Sequence, residues 1–241
     1  MTTKAKEGRS LTRATLLLIS GLLLILGSHA WGLTAPLDEA QMGITGRILY
    51  VHVPTAWVAM VIFCVAFGAA IKVLWSGSRK ADYIEEASLE MGVVLTIMLL
   101  FQGSIWGRAT WETWWTWDPR LTSSAVMAIS FAGILILRRM IHSPEKRLTI
   151  SAVATVIAFI NVPVVYFSVK LLPSIHQLQS TPSTVDSEMH WPLRLASFGF
   201  LFMGFGLIGL RARVAELRMM REDEEPELPP VPEKLQLEEA T

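Results

Sequence analysis

Residues 14–37 read ATLLLISGLLLILGSHAWGLTAPL, with no Asp, Glu, Lys or Arg. A helix needs about 20 mainly apolar residues to cross the hydrocarbon of a bilayer, and about 17 is a workable lower limit. Five more charge-free runs follow: Ile48 to Ile71, Met91 to Gly107, Leu121 to Leu137, Leu148 to Val169 and Leu195 to Leu210. The third, fourth and sixth are near the limit and lean on flanking Trp or small polar residues. Charged residues make up 17% of the chain, against roughly 25% in soluble domains, and they crowd between the runs. This segregation predicts an all-α integral membrane protein with six transmembrane helices. Backbone groups in lipid must be satisfied internally, which leaves helix as the form of each span.

The first run follows MTTKAKEGRSLTR and contains Ser28-His29-Ala30, so it could imitate a cleavable secretory signal. It is longer than a usual signal core and is read as a retained helix. Lys and Arg in the loops set the sidedness. They are frequent in residues 1–13 (Lys4, Lys6, Arg9, Arg13), at Arg79 and Lys80, at Arg138, Arg139, Lys146 and Arg147, and from Arg211 to Arg221. The intervening loops carry few. Both termini are therefore expected in the cytoplasm, with the first, third and fifth loops on the outer, periplasmic side. The chain divides into a cytoplasmic N-terminus (1–13), a six-helix membrane domain (14–211) and a cytoplasmic tail (212–241). From Glu222 the tail reads EDEEPELPPVPEKLQLEEAT, too acidic and proline-rich to fold alone.

Several chemistries are excluded. The single cysteine, Cys64, permits no internal disulfide and no CxxC or CxxCH motif. The formal net charge of zero gives no reason to expect nucleic acid. No GxxxxGK[ST] loop occurs, so ATP dependence would come from a partner. No nucleophile stands beside an activating base, so the chain reads as a binding and transfer protein rather than an enzyme. Within the fifth span, Asn161 and Pro163 predict a kink and an amide bonded to a neighbouring helix. In YVHVPTAW, Pro54 is expected to open the second helix, leaving His52 just outside it at the outer surface.

The third loop reads WGRATWETWWTWDPRLTSS over residues 106–124 and holds five of the nine tryptophans within twelve residues. Scattered indoles such as Trp31, Trp57, Trp75 and Trp191 fit an interfacial belt, which needs no such density. If the loop is helical, Trp111, Trp114 and Trp115 share one face and Trp117 adjoins it. Asp118-Pro119 then ends the element, because a residue before proline avoids helical angles. Such a shelf suits a flat, apolar, partly wet ligand, and haem is the biological candidate. His52 and His176 fall on the same side, and haem iron is commonly held by imidazole. His29 and His190 also lie on that side, so spacing does not choose the pair. His142 is expected in the cytoplasm.

These residues resemble a known family. The loop is similar to the tryptophan-rich WWD signature of haem-handling proteins in cytochrome c biogenesis. The six-span size, RILYVHVPTAW (47–57) and NVPVVYFSVKLLPSIHQ (161–177) resemble its CcmC branch, over about Arg47 to His176. The resemblance implies haem b as the ligand, His52 and His176 as axial ligands, and a cradle of Trp106, Trp111, Trp114, Trp115, Trp117 and Asp118, in a loop near 106–123. It implies residence in the bacterial inner membrane and presentation of haem to a membrane-anchored haem chaperone. It also implies an ATP-binding-cassette pair and a small accessory membrane protein as further partners. The family usually reads W-G-T-W-W where this chain has Glu112 in place of the glycine. Glutamate favours a regular helix there and adds a negative charge near the haem edge. Two rival readings are a transporter with a haem pathway through its spans and a structural subunit of an ABC complex that binds no haem.

Overall fold

A computed structural model describes residues 3–35, 43–178, 180, 184–185 and 187–224. It is all-helical, and six helical segments are long and apolar enough to cross a membrane. The helices are α1 (Thr3–Thr34), α2 (Leu49–Ser76), α3 (Arg79–Trp111), α4 (Pro119–Met140), α5 (Pro144–Phe159), α6 (Asn161–Leu171) and α7 (His190–Glu224). The fifth span is α5 and α6 together. Local sequence marks the ends: Ser78 and Ser143 accept hydrogen bonds from the Ala81 and Lys146 amides, and Pro144 takes the first helical position. Gly77, at φ 60°, closes α2 in the left-handed conformation, and its amide returns to the Val73 carbonyl.

Leu23, Ile129 and Ile157 are exposed on the helix surfaces, as lipid-facing residues are. The interior is packed around Phe63 and Phe131, stacked with centroids 3.9 Å apart. The backbone comes close where glycine allows it. A Cβ at Gly21 would fall 2.6 Å from the Met203 nitrogen, and one at Gly199 would fall 2.9 Å from the Gly21 carbonyl oxygen. Lipid gives apolar helices no hydrophobic reason to associate, so such close van der Waals approach is what joins α1 to α7.

The helices outrun the charge-free runs at the end opposite the Trp loop. There α3 starts at Arg79, twelve residues before its run, and α7 continues to Glu224. The charges in these extensions pair with each other. Arg138 makes a bidentate contact with Asp82 (2.7 and 3.0 Å) and reaches Glu86 at 3.2 Å, while Arg211 holds Glu86 and Glu90. Asp82 and Arg138 are both buried. Residues 212–224 are thus helical, and the tail from residue 225 lies outside the described residues, as do Pro36 and Leu37 of the first run.

Two sequence expectations meet the structure differently. The fifth span breaks at Ile160, because Pro163 has no N–H for the Phe159 carbonyl, and the Asn161 side-chain amide donates to the Ser123 carbonyl of α4 at 2.8 Å. That agrees with the expected kink. Pro54, by contrast, does not open its helix. A 3-10 turn over Gly43–Ile48 already winds the chain, so α2 begins at Leu49 and His52 is helical. The proline forfeits one bond, to the Tyr50 carbonyl, and the Thr55 hydroxyl turns back to the Val51 carbonyl at 2.6 Å.

Candidate functional site

At the other end of the bundle the Trp stretch leaves helical geometry. The chain ends α3 at Trp111, runs irregularly through residues 112–118, and resumes as α4. The helical shelf expected from the sequence is therefore not formed. Glu112 adopts the left-handed conformation at φ 58°, alone among the described non-glycine residues. The fold keeps the turn that glycine would favour, so glutamate does not prolong the helix. Side chains outside the motif's tryptophans hold that turn. Arg108 donates to the Glu112 carbonyl at 2.6 Å, Ser104 to the Trp114 carbonyl at 2.9 Å, and Thr113 to the Trp115 carbonyl at 3.0 Å. Gly107 permits the return, since a Cβ there would lie 3.1 Å from the Thr113 carbonyl oxygen.

Asp118-Pro119 begins an element instead of ending one. Asp118 has the extended ψ of 141° required before proline, and its side chain caps α4 by accepting the Arg120 amide. Burial would raise its pKa. Hydrogen bonds from the Ser174 hydroxyl and from the Arg120, Ile175 and Leu121 amides outweigh burial and hold the carboxyl below its usual range.

Between α2, α3, α4 and α6 lies a cavity of about 270 Å³. His52, Trp106, Trp111, Trp115 and His176 all line it, joined by Met60, Leu99, Met127 and Val165 on its apolar walls. Trp114 and Trp117 do not line it and are 60% and 82% exposed. Asp118 is buried beside it without lining it. Of the eight residues singled out in the sequence, the structure thus gathers five around one space. His29 and His190 line no part of it, and their rings bond to the Ile25 and Val185 carbonyls. Arg120, Trp57 and Tyr166 line it and were not anticipated. Arg120 carries a signal that sequence could have used, a cation two residues beyond the capping aspartate.

The two imidazoles lie 6.4 Å apart between centroids, with their planes 26° from parallel. An imidazole nitrogen binds a metal at about 2.0 Å, so an ion shared by two such rings needs a centroid separation of roughly 6 Å. On His176 one nitrogen is left open for the task. His176 Nδ1 lies 2.9 Å from the Gln177 carbonyl oxygen, which can fix that nitrogen as the donor and leave Nε2 as a ligand. Burial holds His176 below the usual imidazole range, although the Gln177 carbonyl opposes this, and a neutral ring is the ligating form. His52 is buried, and its Nδ1 finds no partner among the described residues. Trp106 Nε1 is likewise buried and unpartnered among them.

Trp106 stands 5.8 Å from each imidazole, and Trp111 is 6.1 Å from His176. The Trp106 indole is therefore beside the midpoint of the gap. A porphyrin held by both rings extends past that position, so its entry requires the indole or the His176 segment to move. The donor set and its spacing fit haem; the aperture has to widen.

A family model described as "Heme exporter protein C" matches residues 4–226. Among similar proteins is the "Heme exporter protein C" of Bradyrhizobium diazoefficiens, 34% identical over 211 residues, covering 83% of this chain and 80% of the relative. The protein of the same name from Escherichia coli K12 is 31% identical over 199 residues, covering 82% and 81%. That of Haemophilus influenzae is 30% identical over 207 residues, covering 83% and 82%.

Proposed function

The chain belongs to the heme exporter protein C family, as a multi-pass inner-membrane protein, and from that premise we propose that it binds haem b between His52 and His176. It then presents the haem to a membrane-anchored chaperone during cytochrome c maturation. The observation that carries the reading is the pair of near-parallel imidazoles 6.4 Å apart in a tryptophan-lined cavity. His52 and His176 would hold the haem, which would supply an iron able to take imidazole nitrogens as ligands. The remaining roles belong to the chain. The indoles of Trp106, Trp111 and Trp115 cover apolar macrocycle surface and exclude water. Arg120, whose Nε is buried and unpartnered among the described residues, offers a cation to an acidic edge of the ring. Trp114 and Trp117, exposed beyond the cavity, give an aromatic surface for the chaperone.

The Trp loop faces the periplasm and both termini the cytoplasm in this reading, on the strength of the Lys and Arg distribution. An ATP-binding-cassette pair and a small accessory membrane protein are the further partners in this reading, as the family resemblance implies. The function is binding and hand-over without catalysis. Of the rivals, conduction through the spans is less well supported, because the Asn161 amide is already engaged by Ser123. The docking-subunit reading leaves the paired imidazoles without a purpose.

Two experiments test this. Titration of the purified protein with hemin should saturate near one equivalent with a six-coordinate, low-spin spectrum. A Trp117→Cys variant in intact spheroplasts should react with a membrane-impermeant maleimide, with Cys64, which lies in the apolar stretch of α2, as the unreactive background. Absence of haem binding would sink the ligand assignment, and protection of residue 117 would sink the sidedness.

A further inference from the structure

We infer that Asp118 is a positioning residue that holds the His176 ligand in place, and is not itself a contact of the haem. This deepens the haem reading above and rests on it. The segment after α6 has no regular structure from Leu172 to Leu178, yet it must present an imidazole at a fixed distance from His52. It is tied to the rest of the fold at one carboxylate. The Ile175 amide donates to Asp118 Oδ2 at 2.9 Å, and the Ser174 hydroxyl is near enough to the same carboxylate to help hold its pKa down. The His176 amide donates to Ser174 Oγ at 3.0 Å. The residue before the ligand is thus bonded to Asp118 directly, and Ser174, beside the same carboxylate, holds the ligand's own amide. The other oxygen, Oδ1, accepts the Arg120 amide at 2.9 Å and caps α4.

One side chain therefore fastens three things: the end of the Trp loop, the start of α4 and the His176 segment. Arg120 adds a tie in the same direction, to the Tyr166 carbonyl of α6 at 3.4 Å. The position demands an acid for a definite reason. Both carboxylate oxygens are used as acceptors, and bonds to a charged acceptor are the stronger kind. An asparagine has one acceptor oxygen. Whichever way its amide turns, either the Arg120 or the Ile175 N–H faces an NH2 group instead.

The test is Asp118→Asn beside wild type and His176→Ala. In haem-free protein, hydrogen exchange at the Ile175 and His176 amides should accelerate about tenfold or more, as expected for losing a charge-assisted bond. After haem loading, Asp118→Asn should shift from six-coordinate low-spin towards the spectrum of His176→Ala, and added imidazole should restore the low-spin form in both. The double variant should match His176→Ala, because the two changes act through one ligand. If Asp118→Asn does not fold, Ser174→Ala, which leaves the α4 cap intact, should move both readouts in the same direction by a smaller amount. Unchanged exchange with an unchanged low-spin spectrum overturns the inference. So does loss of all haem with Ile175 exchange unchanged, which would make Asp118 a direct contact. A wild-type protein that binds no haem removes the premise and the inference with it. Wild-type haem binding with an Asp118→Asn protein indistinguishable from it removes the inference alone.

Discussion

A Cβ on residue 103 would lie 3.3 Å from Cε1 of His52, so a side chain at Gly103 would make the His52 ring give by a few tenths of an ångström. Glycine 103 is on α3 and the imidazole on α2, and their approach sets one wall of the cavity. Gly103→Ala should displace the ring and weaken hemin binding about tenfold, the scale of a mild overpacking cost of 1–3 kcal/mol. Gly103→Leu should abolish six-coordinate ligation while the protein still purifies as a folded species. Equal affinity for Gly103→Leu would show that His52 takes no part.

Glu112→Gly should stabilise the protein, because left-handed backbone strains a residue with a Cβ and not glycine. The gain, about 0.5–1 kcal/mol after the greater freedom of glycine in the unfolded chain is counted, is measurable as a raised unfolding temperature in detergent. Glu112→Val should lower that temperature. A lower value for the glycine variant would mean that residue 112 is not left-handed.

Asn161→Leu should cost about 1 kcal/mol, since it removes the hydrogen bond by which α6 holds the Ser123 carbonyl of α4. Pro163→Ala restores an N–H to the chain and should reduce the break at Ile160. Because α6 leads into the His176 segment, this variant should alter hemin affinity more than stability. Comparing hemin titration with thermal unfolding separates the two effects.

Arg138→Met should be the most damaging single change away from the cavity, costing about 3–5 kcal/mol, because it strands a buried Asp82 carboxylate. Asp82→Leu combined with Arg138→Met should recover part of the loss, since removing both charges avoids the unpaired one. Urea unfolding in detergent would measure both.

The spans were legible in the sequence because lipid imposes a simple rule, long charge-free runs, and six such runs correspond to six apolar helices. The helix ends were not. Residues 79–90 and 212–224 read as charged loop and tail, and the pairing of Asp82, Glu86 and Glu90 with Arg138 and Arg211 ties these helical extensions together. The tryptophans announced an unusual loop, but their helical spacing misled, because Ser104, Arg108 and a left-handed Glu112 fold it back on α3. Which histidines pair was not readable from spacing, with His29 and His190 on the same side. The fold brings His52, at the outset of α2, beside His176 in the segment after α6. The contact of Asp118 with the His176 segment was equally hidden, since its partner Ile175 lies far along the chain.

The most direct test of the account is the absorption and electron paramagnetic resonance spectrum of protein purified from haem-replete cells, beside His52→Ala and His176→Ala. The account predicts low-spin haem with two axial imidazoles in the wild type. It predicts a change to single-histidine ligation in each variant, restored by added imidazole. A folded wild type that carries no haem, or two variants whose spectra equal the wild type's, would contradict it.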